Sequence, residues 1–103
     1  MIKVLIAEDE LIERRYLTQL LGELKADGIE VAAVCSDGDE AVHEAYEKRP
    51  DILVLDIEMP KKSGLEAAGE IRRFLPMVRI LILTAFGEFE YAKRAIRIGV
   101  DDY

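Results

Sequence analysis

Apolar residues along this chain alternate between short solid runs and longer segments in which they recur every three or four positions. Ile2 to Ala7 is such a run, rich in β-branched residues, and reads as a strand buried on both faces. From Leu11 the period changes: Leu17, Leu20, Leu21 and Leu24 return at helical spacing, and Asp27-Gly28 is the expected stop. Ile29 to Val34 reads as a second strand. Asp37, with Glu40 three residues on, is an N-terminal capping pattern that opens a helix to about Lys48. Pro50-Asp51 interrupts the chain, and Ile52 to Leu55 forms a third strand ending on Asp56. After the loop Met59 to Lys62, Ser63 and Glu66 repeat the capping pattern, opening a helix that runs to near Phe74 and is closed by Pro76. Arg79 to Leu83 is a fourth strand, followed by Thr84. Phe89, Ala92 and Ile96 share one face of a fourth helix, with Gly99 just past its end. Asp101 to Tyr103 reads as the beginning of a fifth strand.

Strands that alternate with helices in this way imply one α/β domain over 1–103: a doubly wound parallel sheet covered on both faces. A chain of 103 residues supports a single core. In such sheets ligands bind beyond the carboxyl ends of the strands, where strand order reverses. Glu8 and Asp9 follow strand one, Asp56 ends strand three and Thr84 follows strand four. If strands one and three are neighbours, three carboxylates meet. Carboxylates that close raise one another's pKa unless a cation compensates. Mg²⁺, which takes oxygen ligands and keeps several waters, suits two or three of them. One carboxylate can then act as a nucleophile toward phosphorus, and the Thr84 hydroxyl can donate to a phosphoryl oxygen.

Charge narrows the reading. The formal net charge is −7, which argues against direct nucleic-acid binding, since that needs clustered Lys and Arg. No apolar run approaches the length of a membrane span, and the chain enters a strand at once, so no signal peptide is expected. Its single cysteine, Cys35, reads as a buried, inert thiol in a reducing cytoplasm. Tyr16 is expected to pack partly into the core. His43, Lys61, Lys62 and Lys93 are expected on the solvated surface, and the pairs Arg14-Arg15 and Arg72-Arg73 in ion pairs on acid-rich helix faces.

The segments IKVLIAEDE (2–10), DILVLDIEMP (51–60), SGL (63–65), ILILTA (80–85) and GVDDY (99–103) together resemble the receiver domain of two-component response regulators. The resemblance implies a flavodoxin-like (βα)5 fold, here truncated after the start of strand five. It also implies roles for individual residues. Asp56 corresponds to the phosphoacceptor and Asp9 to a direct Mg²⁺ ligand, with Glu8 as its acidic companion. Glu58 would offer its backbone carbonyl to the metal, Thr84 is the switch hydroxyl and Tyr103 the switch aromatic. The implied partners are a sensor histidine kinase, a C-terminal output domain, and a second copy of the chain. Residues 87–93 are similar to receivers that precede AraC-type DNA-binding domains, so transcriptional control is the expected output. The family's phosphate-pairing Lys would fall three residues past Tyr103, and the chain is accordingly expected to be a C-terminally incomplete receiver. It is expected to catalyse its own phosphotransfer without being a turnover enzyme. The alternative reading is a receiver fold that works by dimerisation without phosphorylation, against which the full acidic set argues. A hydrolase of the haloacid-dehalogenase type would carry its nucleophile on the first strand of its core, not the third.

Overall fold

The structure, a computed structural model, describes residues 1–83 and 99–101. The expected fourth helix, Thr84 and Tyr103 lie outside the described residues. Four parallel strands, β1 (Ile2–Ala7), β2 (Ile29–Cys35), β3 (Ile52–Asp56) and β4 (Arg79–Leu83), stand in the order β2-β1-β3-β4. The helices are α1 (Leu11–Gly22), α2 (Gly38–Lys48) and α3 (Gly64–Phe74). Order reverses at β1, so the carboxyl ends of β1 and β3 lie side by side, as the doubly wound reading requires.

The sheet buries both faces at its centre because β1 from Val4 to Ala7 and β3 from Leu53 to Leu55 are apolar at every position, while the charged strand residues Lys3, Glu30 and Arg79 are exposed. Leu5, Leu53, Leu55 and Ile80 point to the side covered by α2 and α3; Val4, Ile6 and Val54 point to the α1 side. The first side is the thicker. Small residues Ala41, Ala45, Ala67 and Ala68 bring its two helices close to the sheet, and all four are fully buried. On the other side Leu17 and Leu21 contact the sheet, but no residue of α1 is buried.

Both helix starts expected from capping patterns are present. The Asp37 carboxylate accepts from Glu40 N (2.8 Å) and the Ser63 hydroxyl from Glu66 N (3.1 Å). The first helix is shorter than its leucine spacing suggests. It stops at Gly22; the Leu24 carbonyl then accepts from Asp27 N and Ile29 N, tightening the chain into a 3-10 turn at Lys25–Asp27 that ends on left-handed Gly28 (φ 90°). Leu24 is therefore not a helix residue. Tyr16, expected to pack, is 64% exposed, because it sits one position off the Leu17–Leu21 line that faces the sheet.

Two aspartates make the same exchange with a strand residue. Asp51 exchanges two hydrogen bonds with Lys3: its N donates to Lys3 O and its carboxylate accepts from Lys3 N, both at 2.8 Å. Asp101 does the same with Ile80, at 2.9 and 2.8 Å. Of the expected fifth strand only Asp101 is described, and it lies in a bend. Arg72 is not paired within its helix. It reaches Asp101 (3.8 Å) and donates to the carbonyls of Pro76, Val78 and Gly99, tying the end of α3 to the entry of β4 and to the segment 99–101. All described peptide bonds are trans, Pro60's included.

Candidate functional site

Strand register determines which side chains meet. Ala7 pairs with Leu55 across β1 and β3, so the next residues, Glu8 and Asp56, emerge beside each other. Carboxylate oxygens of Glu8, Asp9 and Asp56 all lie within 4.8 Å of one another. Their surroundings differ: Glu8 is buried at 4% exposure, Asp56 is half-buried and Asp9 is exposed. The turn that presents them is held from several sides. Glu8 N donates to Cys35 O (3.0 Å) and Glu10 N to the Glu8 carboxylate (3.3 Å). Glu10 caps α1 by accepting from Ile12 N (3.0 Å). From the first turn of α1, Arg14 Nη1 donates to the carbonyls of Glu8 (2.9 Å) and Asp9 (3.3 Å). Arg14 is thus a brace of the acidic turn, not the surface ion pair expected from its neighbours.

The acids perturb one another. Burial pushes the Glu8 carboxyl up to about 9, helped by hydrogen bonding with Glu13 and Asp56 and by the Asp56 charge. Asp56 is also raised, mainly by burial and further by the charges of Asp9 and Glu13, while its hydrogen bond with Glu8 opposes the rise. Both carboxyls are thus raised, and burial is the main cause in each. The protein therefore gathers more negative charge here than it neutralises. Three converging oxygen donors with surplus charge fit a small divalent ion.

This has a consequence for stability. Between the unfolded value of 4.5 and the folded value of about 9, the native state holds a proton on Glu8 that the unfolded chain has released. Glu8's contribution is therefore full below about pH 4.5 and is lost as pH rises toward 9. Glu8→Gln keeps a donor toward Asp56 without that loss. In chelator it should be more stable than wild type by on the order of 1–3 kcal/mol at pH 8, with a shallower decline between pH 5 and 9. Denaturant melts of both proteins across that range check it; parallel curves would contradict it.

The loop from β3 to α3 forms the rim. A cleft of about 440 Å³ is bordered by Asp9, Glu58, Pro60, Ser63 and Glu66, so Glu58 lies on the same opening as Asp9, with its side chain exposed. Gly64 N donates to Ile57 O (2.7 Å), and an added Cβ on Gly64 would overlap the Asp56 carbonyl. On the far side of β1, Cys35 is buried and its thiol is pushed up to about 12, mainly by burial, as expected of an inert cysteine.

Of the site residues read from sequence, the structure brings Glu8, Asp9 and Asp56 together and places Glu58 on their rim; Thr84 and Tyr103 lie outside the described residues. Sequence reading missed Glu13 and Arg14. Glu13 is in the first turn of α1, where an acid is ordinarily a complement to the helix dipole, and only its place next to Glu8 gives it a second role.

Comparison with known proteins agrees with this geometry. A family model described as the response regulator receiver domain matches residues 4–103. The transcriptional regulatory protein PdtaR of Mycobacterium tuberculosis is 39% identical over 98% of the chain, which covers 47% of that protein. The oxygen regulatory protein NreC of Staphylococcus epidermidis is 37% identical over 98% of the chain and 46% of its own length. The chain thus spans about half the length of these relatives. Among solved structures, the receiver domain of AraT, a response regulator from Geobacillus stearothermophilus, superposes with a TM-score of 0.89 at 40% identity, covering 98% of this chain and 78% of that one. A LuxR-family DNA-binding response regulator from Staphylococcus aureus gives 0.89 at 34% identity, covering 100% and 84%.

Proposed function

Because this chain belongs to the response regulator receiver family, we propose that it is a phosphorylation switch whose acceptor is Asp56. The observation that carries the reading is the convergence of Glu8, Asp9 and Asp56 at adjacent strand ends with more negative charge than the protein neutralises. Asp9, Asp56 and the Glu58 carbonyl are the groups that would hold Mg²⁺, with Glu8 as acidic companion. When bound, the ion supplies positive charge against the phosphoryl oxygens.

The chain's own residues do the rest. The Asp56 carboxylate attacks phosphorus of a phosphohistidine on a sensor kinase; the P–N bond breaks and the imidazole leaves, giving an acyl phosphate on Asp56. Glu8, buried beside Asp56 at the end of β1, limits the directions that carboxylate can take. Arg14 fixes the turn from which Glu8 and Asp9 project. In the family's manner the Thr84 hydroxyl would move to the new phosphoryl group and the Tyr103 ring would follow, converting a local charge into a changed surface. The reading extends to a cytoplasmic protein that relays this change to a transcriptional output domain and catalyses its own phosphotransfer without turning over a substrate. Among the described residues no helix is long and apolar enough to cross a membrane.

The test is acetyl phosphate with and without Mg²⁺ on the protein expressed from its gene, read by intact mass. One hydroxylamine-labile phosphoryl group should appear only with Mg²⁺. No label under either condition would favour a phosphorylation-independent interaction module. Asp9→Asn removes one of the three carboxylates, and Mg²⁺ affinity by calorimetry should fall several-fold. Equal affinity in the two proteins would remove Asp9 from the metal set.

A further inference from the structure

The segment from Pro60 to Lys62 is fastened to both neighbouring helices by charge. Lys62 Nζ lies 3.0 Å from the Asp39 carboxylate at the start of α2 and 3.0 Å from the Glu70 carboxylate of α3. Lys61 Nζ lies 3.5 Å from Asp37, the residue that caps α2. The backbone follows the same path: Gly38 N donates to Pro60 O (3.4 Å) and Lys62 N to Pro60 O (2.8 Å). The fit is close enough that a side chain on Gly38 would collide with Lys62. Lys61 passes through left-handed backbone at φ 69°, which a residue with a Cβ adopts at some cost. Lys62 is 29% exposed and its ammonium stands between two acids on different helices, so this is a three-charge network rather than a lone surface pair.

The same loop carries Glu58. We propose that Lys62, seconded by Lys61, is a positioning residue: its bridge from Asp39 to Glu70 holds the β3–α3 loop in the place from which Glu58 and Asp9 share one cleft, and so preorganises the cation site. The inference rests on the functional reading above. A loop that must be ordered at the moment of binding costs affinity, and a loop already fastened does not.

Charge alone predicts the opposite effect, which makes the proposal decidable. Lys62 is a cation near a site that gathers carboxylates. If it were a bystander, removing it would make the site more negative and tighten binding of a divalent ion. If it positions the loop, removing it loosens the rim and weakens binding.

The experiment is calorimetric titration of Mg²⁺ alone into wild type, Asp9→Asn, Lys62→Met and Lys62→Arg, at low salt and near 1 M salt, with a melt of each protein. Wild type should bind, and Asp9→Asn should bind more weakly. Lys62→Met should bind about threefold more weakly than wild type at low salt, as expected when a partly exposed ion-pair network is lost. Lys62→Arg, which can still bridge both acids, should restore most of the difference. At high salt, where the Debye length falls to about 3 Å, the ratio between wild type and Lys62→Met should shrink toward one. Equal or tighter binding by Lys62→Met, or equal weakening in Lys62→Arg, overturns the positioning role. Absence of any Mg²⁺ binding by wild type instead overturns the functional reading itself.

Discussion

Gly64→Ala should destabilise the domain by about 2–4 kcal/mol, although alanine is the better helix former. Gly64 is the first residue of α3, and its Cα lies against the end of β3. A methyl group there would overlap the Asp56 carbonyl oxygen, reach within 2.9 Å of its carbon and 3.3 Å of Ile57 Cα. These are backbone atoms at the carboxyl end of a buried strand, so they cannot swing aside as a flexible side chain would. Relief requires α3 to move away or the Asp56–Ile57 peptide to shift, and either breaks the 2.7 Å bond from Gly64 N to Ile57 O. Helix propensity favours the substitution by about 1 kcal/mol and is outweighed. Gly22 is the internal control. It is helical, and nothing lies within 4 Å of an added Cβ, so Gly22→Ala should be neutral to stabilising by up to about 1 kcal/mol. Denaturant melts of the two variants should therefore move in opposite directions. A Gly64→Ala protein as stable as wild type would mean that α3 does not seat on Asp56 in this way.

The strands were legible because their central residues are buried on both faces and so read as short, mostly apolar runs. Ile2–Ala7 and Arg79–Leu83 agree with the structure at both ends, and Ile52–Leu55 needs only Asp56 added. The acid cluster was legible for a related reason: in a parallel sheet, the residues just after each apolar run project from one common edge. The first helix was harder. Its leucines continue past Gly22 in helical spacing, but Leu24 serves the turn into β2, and backbone bonds from Asp27 and Ile29 decide that. Tyr16 misled because periodicity does not say which of two adjacent apolar positions faces the sheet. Arg14 and Arg72 misled because long side chains were assigned to acids on their own helices. In the structure both bond mainly to carbonyls of neighbouring turns, which have no sequence signature. Lys62 is the third case, since its partners belong to two different helices.

Asp56→Asn should abolish phosphoryl transfer to this protein. Three carboxylates lie together, and their surroundings give them different abilities. Glu8 is buried, so an incoming phosphoryl donor has little access to its oxygens. Asp9 is exposed on the turn after β1, suited to a cation that water also reaches. Asp56 is half-buried at the end of a central strand, open to a donor on one side and held in direction by the strand. Of the three, it alone combines access with a fixed direction. An asparagine keeps the size and most of the packing but has no anionic oxygen to form the acyl phosphate, so loss of labelling would report chemistry and not unfolding. The decisive measurement is the intact mass of wild type and Asp56→Asn after incubation with acetyl phosphate and Mg²⁺. Wild type should gain one hydroxylamine-labile phosphoryl group and Asp56→Asn none, whereas the same gain in both proteins would place the acceptor on another residue.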